Sequence, residues 1–522
     1  MTENSTILEG SRTSNSIKNV VYAIVAYIAK FLASFFFRMF YIRTLGNTYA
    51  GVEGVFQAIL YVISLADLGL EGVMSFYLYT PIAYGNRREV SSIMYRYRKY
   101  SLYILAVIML LGLVCMPFLP LFIAEGGIQE SIYMLFFAYT LSIALDSFNK
   151  YQKTFINACQ KQYVTTLAHY LSGALMDMLQ IVVILTMKNF LVCLYLQALG
   201  IVMEWFLERM YIRKKYGNIY ILFNPVGKRV RKEMRPYLRA VSMHKASDIL
   251  LQYGDNLIVS VLYGITVTGI YANYRYILYA LNSVFFMVLE SCAAAIGELV
   301  AKKRYDDQKR FYYSLQLINS WIYGFAGTCL YILMNPFITL WLGEGSLFPE
   351  LTMILIVLKF YFDGVKKGSI IYRDAMGLFI HDRFLQYAEV IIIALISFVL
   401  YLLGIGIEGV LLAAIAAYMM TEMWYLPGLI FRKGLGTKPE AAFYLKGALY
   451  FIYMIASCVV MRYVTGLLPY GTIGAFIIRF LLCMVIPNLI FLALTCRTAE
   501  FRYVYGKLEK HLFSRFRRKA VD

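Results

Sequence analysis

Several charged side chains lie within long apolar stretches of this 522-residue sequence. A charge at the centre of a membrane-spanning helix costs at least about 2.5–3.5 kcal/mol unless it is paired or faces a cavity, so each one is a candidate functional residue. Lys30, Ser34 and Arg38 are spaced by four residues and therefore share one stripe of a helix. Arginine binds phosphate bidentately through its planar guanidinium, and Glu53 is the acid that could neutralise Arg38. The cations expected to bind an anionic ligand are Arg38, Arg275, Lys30 and Lys366.

Acidic residues in the same stretches are candidates for binding a coupling ion or for gating. Asp67 and Glu71 are four residues apart on one helix face, and Glu71 lies at a depth that permits pairing with Lys30. Asp255 and Glu290 are the corresponding candidates in the second half of the chain. A buried carboxylate beside a cation can bias a conformational equilibrium when it binds H⁺ or Na⁺. A purely structural role, in which these charges hold helices together, is the alternative.

Two acid–lysine pairs occupy nearly matching places in the two halves of the chain. Asp146 and Lys150 form one pair, and Asp363 and Lys367 form the other. An acid four residues before a lysine is the favourable orientation for an ion pair within a helix. Both pairs lie near predicted helix ends, where lysine can extend to the membrane interface. The sequence therefore leaves both a structural and a functional role open.

Long apolar segments carry these charges and define the class of protein. Hydrophobic residues make up 60% of the chain and charged residues 16%, against about 25% charged in an ordinary soluble protein. A membrane-spanning helix needs about 20 apolar residues, and fourteen segments meet this condition. Their approximate ranges are 18–42, 52–83, 100–123, 130–149, 164–187, 190–210, 240–263, 268–296, 314–342, 351–372, 384–404, 407–431, 443–464 and 473–496.

Basic residues concentrate in alternate loops between these segments, most densely in the range 209–235 and in the C-terminal segment KLEKHLFSRFRRKA. By the positive-inside rule both termini are predicted to be cytoplasmic. The net charge of +19 is then a consequence of topology, which excludes nucleic acid as a partner. The basic tail is expected to contact anionic membrane lipids. The first 16 residues lack the pattern of a cleavable signal peptide.

The stretch 43–83 has a counterpart in the second half of the sequence. Gly46 aligns with Gly264, and Gly51 aligns with Gly269, without a gap. Each copy continues through an apolar segment and a basic loop to a second apolar segment that ends in methionine and proline. Two membrane halves built on one plan are typical of transporters. Because each half has six spans, the pseudo-twofold axis is expected to run along the membrane normal.

The predicted fold is an all-α polytopic membrane protein with about 14 transmembrane helices, arranged as two six-helix lobes plus two extra helices. The N-lobe is predicted over residues 1–212, a basic cytoplasmic linker over 213–239 and the C-lobe over 240–431. Spans 13 and 14 occupy 432–496, and the basic cytoplasmic tail occupies 497–522.

Motifs for catalysis are missing from the sequence. It contains no phosphate-binding G-x-x-x-x-G-K-[ST] loop, no G-x-S-x-G elbow, and no histidine beside a second ligand at metal spacing. The loops on the outer side are short and leave no room for a catalytic domain. Neither an enzyme nor a bound cofactor is predicted, and coupling to an H⁺ or Na⁺ gradient or to the membrane potential is the expected source of energy.

The segments SRTSNSIKNVVYAIV and RTLGNTYAGVEGVFQAILYVISLADLGLEG resemble the opening of the polysaccharide repeat-unit flippases, the O-antigen and capsule translocases of bacteria. The segment LQYGDNLIVSVLYGITVTGIYANYRYILYA is similar to their second-lobe entry, which has an acid near the position of Asp255. These flippases belong to the multidrug/oligosaccharidyl-lipid/polysaccharide exporter superfamily. The resemblance covers nearly the whole chain and implies two lobes around a central cavity in the bacterial cytoplasmic membrane.

The same resemblance implies a substrate, a polyprenyl diphosphate that bears an oligosaccharide. It implies cavity cations, a residue type that Lys30, Arg38 and Arg275 supply, and a polysaccharide polymerase and glycosyltransferases as partners. The expected function is translocation of the lipid-linked repeat unit by alternating access. A lipid II flippase and a multidrug and toxin exporter are the alternatives of the same kind. A membrane-embedded polymerase or glycosyltransferase is the alternative of a different class.

Overall fold

The computed structural model describes residues 12–64, 70–123, 127–217, 250–290, 292–301, 305–378, 381–382, 384–466, 468 and 472–506. Regular secondary structure within these ranges is helical, without strands. The helices are α1 (Arg12–Leu45), α2 (Asn47–Ile63), α3 (Leu70–Ala83), α4 (Arg87–Cys115), α5 (Ile132–Ala158), α6 (Gln162–Met187), α7 (Phe190–Tyr216), α8 (250–263), α9 (Ile265–Glu290), α10 (Ala293–Ala301), α11 (Tyr305–Leu342), α12 (Glu350–Ala375), α13 (Leu385–Leu402), α14 (Glu408–Met420), α15 (Glu422–Leu429), α16 (Ala441–Gly466) and α17 (Ile473–Thr495).

Ten helical stretches of the described chain are long and apolar enough to cross a membrane. They are Val25–Leu45, Arg87–Leu121, Ile132–Ala158, Gln162–Met187, Phe190–Tyr216, Tyr305–Leu342, Leu385–Leu402, Glu408–Gly434, Ala441–Gly466 and Ile473–Thr495. The predicted all-α, multi-pass fold class is confirmed. The predicted span 52–83 corresponds to two shorter helices, α2 and α3, and the predicted span 351–372 corresponds to α12, whose charges lower its hydropathy.

Large apolar side chains on these helices face outward. On α6, for example, Met178, Val182 and Leu185 are all more than half exposed and follow each other at helical spacing. Such a continuous apolar surface is unfavourable in water, where exposed apolar patches of this kind are rare. It is the surface expected of a helix that contacts lipid.

The chain divides into two compact units, Met1–Gly269 and Ile270–Asp522. In the first unit α1 packs along α6, while α5 packs against α4 and α7. Tyr97, Tyr151 and Phe155 are fully buried in the apolar core formed there. In the second unit α11 packs against α12, α16 and α17, and Tyr453 and Phe491 lie in one of its apolar clusters. The lobe boundaries expected from the sequence remain a prediction.

The repeat detected in the sequence reappears in the backbone. Gly46 and Gly264, which the repeat aligns, both precede a helix and both have a positive φ, +88° and +84°. Residues other than glycine rarely adopt this conformation, which explains why the turn has glycine at both positions.

A close helix contact within the first unit also follows the repeat. A Cβ atom on Gly51 of α2 would overlap the Ile265 carbonyl oxygen at the start of α9, and a Cβ on Gly269 would overlap the Asn47 carbonyl oxygen. Asn47 and Ile265 are themselves aligned by the repeat. The contact is therefore reciprocal between equivalent residues, as at an interface related by a two-fold axis. The Oγ1 atoms of the equivalent pair Thr48 and Thr266 are also 3.4 Å apart.

Candidate functional site

Arg38 of α1 pairs with a carboxylate of α2. Its Nη1 lies 3.8 Å from Oε2 of Glu53, and Oε1 of Glu53 accepts a hydrogen bond of 3.3 Å from Gln57. The acid suggested by the sequence as the neutralising partner of Arg38 is therefore the one beside it. The ion pair is longer than a charge-assisted hydrogen bond, which is about 2.7–2.9 Å.

Lys30 and Ser34 of α1 share one acid of α6. Lys30 Nζ lies 2.6 Å from Asp177 Oδ2, and the Ser34 hydroxyl donates to the same oxygen at 2.6 Å. Lys30 also donates to the Gly173 carbonyl at 3.3 Å. The suggested pairing of Lys30 with Glu71 is thus wrong, because α1 packs along α6 and presents this stripe to it. Asp67, the other candidate beside Glu71, lies outside the described residues.

An ion-pair network joins α5, α6 and α7 in the first unit, with Glu204 buried and the side chains of Asp146 and His169 partly exposed. Lys153 Nζ lies 2.9 Å from Asp146 Oδ1 and 3.1 Å from Glu204 Oε1. His169 Nδ1 lies 3.1 Å from the other oxygen of Glu204. Lys150, the predicted partner of Asp146, also acts on this carboxylate electrostatically, but the ion pair at 2.9 Å is the one with Lys153. Asp146 and Lys153 are seven residues apart, two helical turns on one face, and Lys153 can reach both acids.

Glu208 extends this network by one turn of α7. It is fully buried, and neither of its carboxylate oxygens accepts a hydrogen bond from a described residue. Asn149 and the ammonium of Lys153 lie close to it, but so does the like charge of Glu204. Burying an ionised carboxylate beside a second acid is costly. Glu208 is therefore a candidate for proton uptake, although the sequence analysis did not single it out.

A second network lies in the second unit around α12. Lys366 Nζ lies 2.8 Å from Glu422 Oε2, 3.5 Å from Glu389 Oε1 and 3.7 Å from Asp363 Oδ1. Asp363 Oδ2 is 2.8 Å from Nζ of Lys359. Lys367, the predicted partner of Asp363, acts on it electrostatically, but the ion pairs within 4 Å are those with Lys359 and Lys366.

Lys367 has a different set of contacts. Its ammonium donates to Asn282 Oδ1 at 3.1 Å and lies 5.7 Å from the centre of the Phe286 ring. A lysine over an aromatic face gains a cation–π interaction, which stabilises the charge away from water. Lys366 and Lys367, adjacent in sequence, thus point to different neighbours because consecutive helix positions do not face the same way.

The two networks share one position of the sequence repeat. Glu204 and Glu422 are equivalent positions of the repeat, and each pairs with a lysine that also contacts an aspartate of its own helix, Asp146 or Asp363. Of these residues only the two glutamates are aligned by the repeat, because Lys153 and Lys366 are not at equivalent positions. The third member differs as well, His169 in one unit and Glu389 in the other.

The remaining predicted residues lie elsewhere. Arg275 of α9 is partly buried, with its guanidinium 5.8 Å from the centre of the Tyr271 ring. Asp255 of α8 is buried, and Glu290 is exposed at the end of α9. Arg38 and Asp255 belong to the first unit, and Arg275 and Glu290 to the second. Their roles in ligand binding and gating stay predictions.

No three histidine, cysteine or acidic side chains among the described residues converge as metal ligands do. The buried acids described above are instead arranged around lysine ammonium groups.

Taken together, these observations define an all-helical, multi-pass membrane protein with an internal repeat and buried ion-pair networks. No protein-family model and no curated protein sequence matches the chain. Solved structures do share its fold. An inward-facing multidrug resistance MATE family transporter of the MOP superfamily matches with a TM-score of 0.61 and 13% identity, over 78% of this chain and 98% of that chain.

The lipid II flippase MurJ, in an inward closed conformation, matches with a TM-score of 0.60 and 17% identity, over 91% of this chain and 98% of that chain. An outward-facing MATE family transporter of the MOP superfamily matches with a TM-score of 0.54 and 14% identity, over 84% of this chain and all of that chain. At these identities the likeness establishes the fold. The chain therefore shares the fold of these MATE and MurJ structures.

Proposed function

We propose that this protein is a flippase that moves a saccharide linked to a polyprenyl diphosphate across the bacterial cytoplasmic membrane. The observation that carries the proposal is the likeness in fold to the lipid II flippase MurJ, which extends over 91% of this chain. The density of cationic side chains inside the helices supports a substrate with a diphosphate. A cationic drug, the kind of substrate expected of an exporter with acidic cavities, fits such side chains less well.

Arg38 and Arg275 are the proposed ligands of the diphosphate. Lys30 and Lys366 each lie within 2.8 Å of a buried carboxylate, which neutralises their charge. Arg38 has a longer ion pair of 3.8 Å, and an arginine can bind a carboxylate and a phosphate oxygen at once through separate N–H groups. Of the four cations expected from the sequence, the two arginines are preferred because a planar guanidinium can bind a phosphate bidentately, which an ammonium cannot.

Two substrate classes fit the proposal. The sequence resemblance favours the oligosaccharide repeat unit of a surface polysaccharide, and the MurJ likeness favours lipid II, the precursor of peptidoglycan. Both consist of a polyprenyl chain, a diphosphate and a saccharide. They differ in the group beyond the diphosphate, which the arginines would not contact.

Reconstitution tests the proposal directly. The purified full-length protein is placed in vesicles with a fluorescent polyprenyl-diphosphate oligosaccharide, and flipping is measured as the fraction that an impermeant reagent can reach. The same vesicles are then loaded with lipid II, and separately with ethidium as a probe of drug transport. Protein-dependent exposure of either lipid-linked saccharide supports a flippase and identifies its class. Transport of ethidium alone would overturn the proposal in favour of a drug exporter.

Energy for the cycle is proposed to come from an ion gradient acting on buried acids. Asp255 is one candidate from the sequence, and Glu208 is added because its carboxylate is buried without a hydrogen-bond partner among the described residues. In vesicles, collapse of the H⁺ and Na⁺ gradients and of the membrane potential should slow net accumulation in one leaflet. Unchanged accumulation after all three are collapsed would refute this coupling.

A further inference from the structure

A narrow groove of about 180 Å³ lies in the second unit between α11, α12, α14, α15 and α16. Its walls are mainly apolar and aromatic, and they include Tyr361, Phe362, Phe443 and Phe451. Lys366 and Glu422 border it, but they already pair with each other at 2.8 Å. The groove therefore presents no net charge that a ligand inside it must neutralise.

The mouth of the groove opens on the lipid-facing surface. Met419 and Ala448, which line the groove, are both exposed, and Leu449 beside them is 62% exposed. Tyr444 of α16 lines the groove, and Trp424 of α15 packs against it, with ring centres 4.9 Å apart. A side opening in this position admits a chain from the bilayer rather than a solute from water.

Basic side chains follow directly after the helix that forms one wall. Pro427 lines the groove, and Arg432 lies five residues further on, about 7 Å along the helix axis. Arg432 is close enough to Tyr444, another lining residue, to act electrostatically on its hydroxyl. Arg432 and Lys433 are exposed, and neither has an ion-pair partner in the described part of the chain. An apolar groove thus ends beside two cations at the membrane interface.

We propose that this groove binds an anionic phospholipid, with one acyl chain between α15 and α16 and the phosphate on Arg432 and Lys433. The apolar walls match the chain, and the exposed cations match the headgroup. An acyl chain is unbranched and fits a narrow slot, whereas a polyprenyl chain carries a methyl branch on every isoprene unit. The lipid would bridge α15 and α16 from the bilayer side.

Trp424 at the mouth provides the measurement, because bromine on an acyl chain quenches tryptophan fluorescence at short range. The full-length protein is reconstituted in bilayers of brominated phosphatidylglycerol or brominated phosphatidylcholine. The signal of Trp424 is the difference between the protein and its Trp424→Phe variant. Brominated phosphatidylglycerol should quench Trp424 more strongly than brominated phosphatidylcholine. Each basic residue near the headgroup should raise the affinity for phosphatidylglycerol relative to phosphatidylcholine by about fivefold.

Two variants separate the chain site from the headgroup site. Ala448→Phe fills the mouth and should abolish the preferential quenching, whereas Leu449→Phe, at the next position and outside the groove, should leave it intact. Arg432→Gln with Lys433→Gln should remove the preference for phosphatidylglycerol while quenching by either lipid persists.

Two outcomes would overturn the proposal. One is equal quenching by both lipids that Ala448→Phe does not change. The other is displacement of brominated phosphatidylglycerol by a small excess of undecaprenyl phosphate, which would assign the groove to a polyprenyl chain. The quenching assay measures binding and does not depend on transport. Either result therefore has no bearing on the flippase proposal, which the reconstitution experiment tests.

Discussion

Adding one methyl group at Gly51 should disrupt the contact between α2 and the first turn of α9. The Cβ of Gly51→Ala would overlap the Ile265 carbonyl oxygen, a backbone atom that cannot rotate away. The two helices must therefore separate, or the substitution must strain the backbone. Gly269→Ala places a Cβ against the Asn47 carbonyl oxygen in the reciprocal position and should have the same effect.

The expected magnitude follows from two opposing terms. Replacing glycine by alanine inside a helix ordinarily stabilises by about 0.5–1 kcal/mol, through the lower entropy of the unfolded chain. Overpacking a close contact costs about 1–3 kcal/mol. A net destabilisation of about 1–2 kcal/mol is expected for each variant, and the double variant should cost less than the sum, because the first methyl group already separates the helices.

Thermal unfolding in detergent provides the assay, with a dye that fluoresces on reaction with the thiols of Cys159 and Cys193, which are buried in the folded first unit. A loss of about 1 kcal/mol corresponds to a fall of about 2–4 °C in the midpoint for a unit of this size.

Matched controls come from two other glycines of the same unit. A Cβ on Gly54 would meet the side-chain amide of Asn256 first, at 3.2 Å, and a Cβ on Gly254 would have no neighbour within 4 Å. Gly254→Ala should leave the midpoint unchanged or raise it. If Gly51→Ala behaves like Gly254→Ala, the reciprocal contact does not exist as described.

Two further predictions concern the charged groups. Lys153→Met should destabilise the protein by about 1–3 kcal/mol, because it removes the lysine partner of Asp146 and leaves the buried Glu204 with His169 alone, and adding Glu204→Gln should restore part of the loss; an additive double variant in thermal unfolding would refute the network. Glu440, between α15 and α16, accepts hydrogen bonds from Lys309 and Tyr313, which lower its pKa below the usual value. A carboxylate with a lowered folded pKa contributes stability above its unfolded pKa of about 4.3 and loses it as the pH falls through the folded pKa. Glu440→Gln should therefore narrow the difference in unfolding midpoint between pH 6 and pH 3, and an identical pH profile for both proteins would contradict the assignment.

The helical membrane fold could be predicted from the sequence because each span is recognisable from the hydropathy of its own residues and the charge of the adjacent loops. The turns at Gly46 and Gly264 could also be predicted from the sequence, because a glycine at the same place in two copies of a repeat indicates a backbone conformation that requires glycine. What a sequence cannot supply is the rotation of each helix about its axis. That rotation decides that Lys30 meets Asp177 of α6 rather than Glu71.

The buried networks illustrate the same limit. Spacing of four residues favoured Asp146 with Lys150, but a lysine side chain is long enough to reach an acid two turns away when a second acid on another helix attracts it. Glu204 and Glu422 could have been found, because both are acids in predicted apolar segments and the repeat aligns one with the other. Applying the repeat to every intramembrane charge, rather than to the closely spaced acid–lysine pairs alone, would have identified them.

The central claim is that intramembrane arginines bind the diphosphate of a lipid-linked saccharide, and the most direct measurement is the flipping rate in reconstituted vesicles across a charge series. Arg38→Lys should retain part of the rate, because the positive charge remains without the bidentate geometry. Arg38→Gln and Arg275→Gln should each reduce the rate strongly at equal reconstituted protein, and the Arg38→Gln, Arg275→Gln double variant should abolish it. Flipping by that double variant at the rate of the unmodified protein would contradict the claim.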